Sequence, residues 1–339
     1  MVSPDAGRRV SSGRVRLTIF VAAVVLLPAL ITHLIPARRD FDPKPINHLR
    51  KKQPEVVMIG DSVLGGSIDP ELFAKETGLR SVELLWNGGA ASAAWYLLLK
   101  NHVVAAGVHP RLVCIFFRER MLTDATFRTT PTYRRFLESL RHPKEPVYRA
   151  VLQSDEEDKG ALGRAIDWLY PLNTRRHVQQ EKISRLAFRI AAGGVSIGPL
   201  RRRVNEIFDP VKLREEIMDE SAEVSGEKPE EFSADPKRNF LPHIVETAQK
   251  AGLQLCFVRE KRYPLPDGTT PQPEDIKRYM ADLRQWVESQ GCLFVDLTNN
   301  RKPDQSMYTK PGDDHIRKGA KAEATKIYAE KLRPLLRQP

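Results

Sequence analysis

Residues 55–69 constrain the fold most strongly, because an apolar run stops there at a turn that contains a serine. Val56–Ile59 are all apolar and three of the four are β-branched, which predicts a strand buried on both faces of a parallel sheet. The turn Gly60-Asp61-Ser62 follows at once. It should therefore lie at the carboxyl edge of the sheet, where open α/β sheets bind ligands. A serine held there can act as a nucleophile, although Gly-Asp-Ser is also ordinary turn chemistry.

The rest of the chain alternates between strand and helix patterns. After the first strand, Asp69 and Pro70 predict the start of a helix that ends at Gly78. This alternation predicts an α/β domain with a five-stranded parallel sheet and right-handed crossovers. The further strands are expected at 81–86, 111–117, 253–258 and 292–295, and the further helices at 94–106, 240–251, 274–290 and 317–332.

Residues 123–235 interrupt this alternation. They are predicted to form several helices separated by charged loops, including helices at 133–141 and 175–192. We interpret the stretch as a helical insertion or lid within a domain that covers residues 53–339.

The N-terminal segment predicts a membrane anchor. Residues 17–36 contain no Asp, Glu, Lys or Arg, and about 20 such residues can span a bilayer as a helix. The arginines in the preceding tail, residues 1–16, favour a cytoplasmic N-terminus and an extracytoplasmic domain. A cleaved signal peptide is the alternative, but no small-x-small site precedes Arg38, which favours an uncleaved anchor. Residues 37–52, which are polar and contain prolines, are interpreted as a linker.

The charge distribution argues against a nucleic-acid partner. Residues 1–52 hold ten Lys and Arg against three Asp and Glu, whereas the rest of the chain holds 44 against 40. The positive charge thus gathers beside the predicted anchor, which favours contact with anionic lipid. The cysteines, Cys114, Cys256 and Cys292, each fall in a predicted core strand and are expected to be free thiols. No Cys/His cluster has metal-ligand spacing, so no metal or cofactor is expected.

A serine nucleophile needs a base, and His315 is the best-placed histidine in the sequence. It follows the last predicted strand and precedes the last helix, in a loop that also contains Asp313 and Asp314. An acid just before a histidine can fold back on the imidazole and orient it. Ser62, His315 and Asp313 are therefore the predicted catalytic residues, with Asp314 as the alternative acid.

These motifs together resemble the SGNH, or GDSL, hydrolase superfamily. The shared features are Ile59-Gly60-Asp61-Ser62 after a strand, a glycine turn after the second strand, and Asp-x-His before the C-terminal helix. The resemblance implies a three-layer α/β/α, flavodoxin-like fold and a serine acyl-enzyme mechanism. It also implies an oxyanion hole formed by the backbone N–H groups of Ser62 and Gly89, with Gly88 as the alternative.

Two positions depart from that family pattern. The usual acid, three residues before the histidine, is Gly312 here, and Asp313 instead fits the spacing in the branch similar to alginate O-acetyltransferases. The asparagine expected after the third strand is absent, and Arg118 stands in that region as an oxyanion donor or as a structural residue. Losing one oxyanion donor typically costs about 10²–10³ in rate, so slow ester turnover is expected.

The resemblance leaves three functions open. The first is a membrane-anchored acyl-ester enzyme, an ester hydrolase or O-acyltransferase acting on a cell-surface polysaccharide or glycan. In that role the chain is similar to alginate acetylation and teichoic acid D-alanylation proteins, which work beside a membrane-bound O-acyltransferase. The second is a plain ester hydrolase. The third is a degenerate SGNH module that serves as a binding or assembly factor.

Overall fold

The computed structural model describes residues 41–86, 91–125, 137, 139–142, 145–153 and 231–336. The predicted anchor at 17–36, both glycines of the predicted oxyanion hole and most of the predicted insertion 123–235 lie outside the described residues. Within the described part of that insertion, Pro146–Gln153 form a helix. No helix among the described residues has the length and apolar character needed to cross a bilayer.

The centre of the domain is a five-stranded sheet in which all strands are parallel, as predicted. Its spatial order is β2-β1-β3-β4-β5. Since β1 lies between β2 and β3, the chain leaves β1 in one direction and later returns on its other side. This reversal is a topological switch point, where open sheets form a crevice. The strands are β1 (Val56–Gly60), β2 (Ser81–Leu85), β3 (Leu112–Phe117), β4 (Leu255–Arg259) and β5 (Leu293–Asp296).

Helices cover both faces of the sheet, which gives the three-layer arrangement. They are α1 (Lys44–Lys52), α2 (Ser62–Ser67), α3 (Pro70–Thr77), α4 (Ser92–Leu98, continued by a π-helix at Leu99–Val104), α5 (Pro146–Gln153), α6 (Leu241–Lys250), α7 (Glu274–Ser289) and α8 (Lys321–Leu336). Val57 and Ile59 of β1 face a core that includes α1, α4, α6 and α7. Val56 and Met58 face the opposite core, with α2, α3 and α8. Alternate residues of one strand thus serve two cores, which explains its unbroken apolar run.

The predicted linker 37–52 is wrong in its second half, because Lys44–Lys52 form helix α1. Leu49 of this helix is fully buried against the sheet, and the Arg50 side chain donates hydrogen bonds to the carbonyls of Ala105 and Ala106. Pro45 lies in the first turn, where a proline costs no helical hydrogen bond. Ile46 and Leu49 pack against the core while most of the helix is polar, and for that reason its sequence resembles a linker.

The last helix also differs from its prediction. A 3₁₀ turn at Lys318–Ala320 precedes it, and the helix continues through Pro334 to Leu336 rather than ending before the proline. Leu332 and Leu336 both pack into the core beneath β1. Pro334 cannot donate a backbone hydrogen bond, but only the last turn of the helix is affected. Burial of Leu336 offsets that loss.

Candidate active site

Ser62 is the first residue of α2 and lies immediately beyond the carboxyl end of β1. The carboxylate of Asp61 caps this helix, accepting a hydrogen bond of 2.8 Å from the backbone N–H of Val63. A side chain at Gly60 would place its Cβ 2.8 Å from the Cβ of Leu64, so glycine is needed for the chain to turn this tightly. The turn and the cap together fix the start of the helix, and with it the Ser62 hydroxyl.

The structure brings Ser62 and His315 together although 253 residues separate them in sequence. The Ser62 Oγ and the His315 Nε2 lie 2.9 Å apart. On the other side of the ring, His315 Nδ1 lies 2.6 Å from Asp313 Oδ1. Three side chains therefore form one continuous chain of hydrogen bonds, in the order that proton transfer from a serine requires.

The loop that carries His315 is a short hairpin. Tyr308 and Ile316 form an antiparallel bridge, and the backbone N–H of Thr309 donates to the carbonyl of His315. Gly312, at the tip, has a φ of 77°, a conformation that glycine adopts without strain. Ile316 and Tyr308 are buried in a small cluster with the start of α8. The imidazole thus projects from a packed and hydrogen-bonded segment.

Asp313 is held as a carboxylate. Burial raises its pKa, but hydrogen bonds from the Thr309 hydroxyl, at 2.6 Å, and from both the ring and the backbone N–H of His315 outweigh burial. The net result is a pKa of about 2, against an ordinary value of 3.8. At neutral pH this carboxylate accepts the Nδ1 proton of His315, which leaves the Nε2 lone pair directed at Ser62.

Asp314, the alternative acid, contacts other groups. Its Oδ2 accepts a hydrogen bond of 2.9 Å from Arg118, and its Oδ1 lies 3.3 Å from the backbone N–H of Tyr263. Arg118 also donates to Asp61 at 2.6 Å. The guanidinium is thus occupied by carboxylates on both sides, and the oxyanion role considered for Arg118 has no geometric support.

The partners of Arg118 were not predicted, although their positions in the sequence carried a signal. Arg118 follows β3, Asp61 follows β1 and Glu260 follows β4. Adjacent parallel strands place their carboxyl ends at one edge, so charged residues just beyond those ends meet there.

The site is partly open to solvent. The His315 side chain is 42% exposed and that of Asp313 is 23% exposed. A surface cavity of about 730 Å³ lies elsewhere, along edge strand β2 between α1 and α3, and is not lined by Ser62, Asp313 or His315. As far as the described residues go, the His315 ring can therefore be reached from solvent.

Among the described residues, no group of three His, Cys, Asp or Glu side chains could hold a metal ion. The cysteines, Cys114, Cys256 and Cys292, are free and buried, as predicted. Cys114 of β3 and Cys256 of β4 are neighbours across the two strands and pack in the core.

No protein-family model matches the sequence, and no curated protein matches it. Among solved structures, the chain is similar to a GDSL-like lipase from Bacteroides thetaiotaomicron, with 13% identity and a TM-score of 0.35 over 84% of this chain and 89% of that one. It is also similar to a Bacteroides fragilis protein described as an acylhydrolase, with 13% identity and a TM-score of 0.33 over 83% of this chain and 88% of that one.

Proposed function

We propose that the protein is an SGNH-type serine ester enzyme in which Ser62 is the nucleophile, His315 the base and Asp313 the orienting acid. One observation carries this proposal, namely the hydrogen-bonded series Ser62–His315–Asp313 at the carboxyl edge of the sheet. Distances of 2.9 and 2.6 Å join its members. They lie within the range that proton transfer requires.

In the proposed reaction, His315 Nε2 takes the hydroxyl proton as Ser62 Oγ attacks the carbonyl carbon of an ester. The tetrahedral intermediate collapses when the bond to the alcohol oxygen breaks and His315 delivers the proton to that oxygen. The acyl group remains on Ser62 as an ester. Water, or a sugar hydroxyl, then gives its proton to His315 and takes the acyl group, and Ser62 regains its hydrogen.

The proposed oxyanion hole consists of backbone donors. The N–H of Ser62 lies at the start of α2, and the family resemblance supplies Gly89, or Gly88, as the second donor. No side-chain donor is assigned, because Arg118 is committed to Asp61 and Asp314. With one donor fewer than usual, hydrolysis should be slower by about 10²–10³-fold than in a fully equipped site.

The substrate we propose is an acylated polysaccharide or glycan at the cell surface. The partly exposed His315 supports a bulky substrate, and the uncharged segment 17–36 supports tethering at a membrane. Tethering raises the effective concentration of an acyl donor delivered by a membrane-bound O-acyltransferase, so transfer does not need rapid ester hydrolysis.

The test is covalent labelling with a fluorophosphonate probe, together with hydrolysis of p-nitrophenyl acetate. Ser62 should be labelled, hydrolysis should be slow, and Ser62→Ala should abolish both. Ser289→Ala is the matched control, because Ser289 is exposed on α7 and bonds only to its own helix among the contacts the structure gives it. Folded wild-type protein that takes up no probe and cleaves no ester would leave the non-catalytic module as the better interpretation.

Hydrolysis and transfer are separated by the ester content of purified envelope polymer. Cells that carry Ser62→Ala should contain less ester than wild-type cells if the enzyme transfers acyl groups, and more if it removes them. The missing asparagine after β3 favours the non-catalytic alternative, for which the ester content would not change.

A further inference from the structure

Arg118 joins the segment that carries Ser62 to the segment that carries His315. Its Nη2 lies 2.6 Å from Asp61 Oδ2, and its Nη1 lies 2.9 Å from Asp314 Oδ2. Asp61 directly precedes Ser62, and Asp314 directly precedes His315. One guanidinium thus spans the two halves of the site from the end of β3, which lies beside β1 in the sheet.

The three side chains that make these contacts are largely shielded from water. The side chain of Asp61 is 4% exposed, that of Asp314 is 13% exposed and that of Arg118 is 16% exposed. Removing one partner of a buried ion pair leaves a charge uncompensated and is far costlier than losing a surface pair. The two nitrogens point to two different carboxylates, a planar geometry that lysine cannot reproduce.

Each of the two carboxylates also contacts a backbone N–H group with its second oxygen. The second oxygen of Asp61 caps α2 through the N–H of Val63, and the second oxygen of Asp314 faces the N–H of Tyr263. Without the guanidinium, Asp61 and Asp314 would repel each other, and the two segments would separate. The distance between these two segments sets the 2.9 Å contact between Ser62 Oγ and His315 Nε2.

Glu260 and Arg262 also lie beside this pair of contacts. Glu260 is buried beside Arg118, with its Oε2 3.9 Å from Nε. Burial, and then the charge of Asp61, raise the pKa of Glu260 well above its usual value. A second cation, Arg262, lies on the outer side of Asp314, with its Nε 3.5 Å from Asp314 Oδ2 and its Nη1 3.8 Å from Glu119 Oε1.

We propose that Arg118 is a positioning residue, which sets the distance between Ser62 and His315 by holding Asp61 and Asp314 on either side of one guanidinium. This inference rests on the proposed function of Ser62 and His315. It assigns a role to the arginine that stands where the resembling family has an asparagine.

The experiment compares Arg118→Ala, Arg118→Lys and Arg120→Ala with the wild type. Arg120 is the matched control, because it lies two residues away and pairs with Asp275 and the Tyr279 ring. Measurements are the labelling rate at Ser62, kcat and KM for p-nitrophenyl acetate, and the thermal unfolding midpoint. Both Arg118 variants should lose about 10²-fold in kcat, as displacements near 1 Å do, with little change in KM.

Rescue by added guanidinium ion separates a positioning role from a merely structural one. At millimolar concentration the ion should restore labelling in Arg118→Ala, and it should not restore labelling in Ser62→Ala. The proposal is overturned if Arg118→Ala keeps the wild-type kcat, or if its rate falls only with its folded fraction and guanidinium restores nothing.

A failure of the proposed function gives a different result. Wild-type protein that is not labelled at Ser62 refutes the enzyme, and a crystal structure of Arg118→Ala then decides the positioning role alone. Separation of Ser62 Oγ from His315 Nε2 beyond hydrogen-bond range supports that role, and an unchanged distance overturns it.

Discussion

Asp313 and Asp314 are neighbours in sequence but serve different partners. Asp313 bonds to His315, whereas Asp314 bonds to Arg118. Sequence spacing could not separate the two, because either carboxylate can reach an imidazole from a loop. The hairpin determines which carboxylate contacts His315, since its tip turns Asp313 back towards the imidazole and directs Asp314 towards β3.

This assignment predicts that Asp313→Asn will lower the labelling rate at Ser62 by about 10³–10⁴-fold, because an amide in this place stabilises the wrong imidazole tautomer. Asp314→Asn should lose less, since it leaves the partner of His315 in place. Asp282→Asn, an exposed change on α7, is the control. A larger loss in Asp314→Asn than in Asp313→Asn would contradict the assignment.

At the residue scale, local context in the sequence was enough to single out Ser62 and His315, which the structure places 2.9 Å apart. Ser62 follows an unmistakable strand, and His315 lies between the last strand and the last helix. Arg118 was different, because its partners Asp61 and Asp314 come from distant segments and share no periodicity with it. The order of the strands brings Asp61 beside Arg118, and the His315 hairpin brings Asp314 there.

At the element scale, helix α1 is the clearest test of packing. If Leu49 anchors the helix, Leu49→Ala should lower the free energy of unfolding by about 2–5 kcal/mol, because it leaves a cavity beside the sheet. Leu265→Ala, at a side chain that is 46% exposed, should change it little. Urea denaturation measures both. Equal stability of the two variants would show that Leu49 does not anchor residues 44–52 to the domain, as expected of a linker.

Glu83 makes strand β2 sensitive to pH. Its Oε1 is buried without a hydrogen-bond partner, and burial raises the pKa of the side chain from 4.5 to about 7 against the opposing charge of Lys321. Between these values the unfolded chain releases a proton that the folded protein keeps. Stability should therefore fall as pH rises from 4.5 to 7, by at most about 3 kcal/mol.

The check is the unfolding midpoint measured across that pH range. Glu83→Gln should remove this part of the pH dependence, whereas Glu330→Gln, at an exposed position on α8, should keep it. Parallel curves for the wild type and Glu83→Gln would show that Glu83 is ionised in the folded protein.

The elements themselves were predictable to the extent that local signals define them. β1 was expected at 56–59 and extends over Val56–Gly60, because an apolar run and a glycine turn mark its ends. Helices α1 and α8 were misjudged for a common reason. Buried leucines, Leu49 in α1 and Leu336 at the end of α8, pack against the sheet where the local sequence indicates no helix, and such burial is a property of the tertiary structure.

At the scale of the whole molecule, residues 17–36 predict where the protein resides. Full-length protein should sediment with membranes and resist extraction by high salt, because an uncharged segment of this length inserts as a helix. A chain lacking residues 1–36 should remain in the supernatant and still be labelled at Ser62. Recovery of the full-length protein in the soluble cytoplasmic fraction would refute the anchor.

The distance in sequence between Ser62 and His315 has a consequence for when the protein becomes active. Synthesis completes the β1 turn early, but the base follows 253 residues later, and α8 packs beneath β1 only after that. In the proposed mechanism, Ser62 therefore lacks its base until the His315 hairpin has been made and has folded against β1. A nascent chain that holds only the β1 turn is predicted not to attack esters.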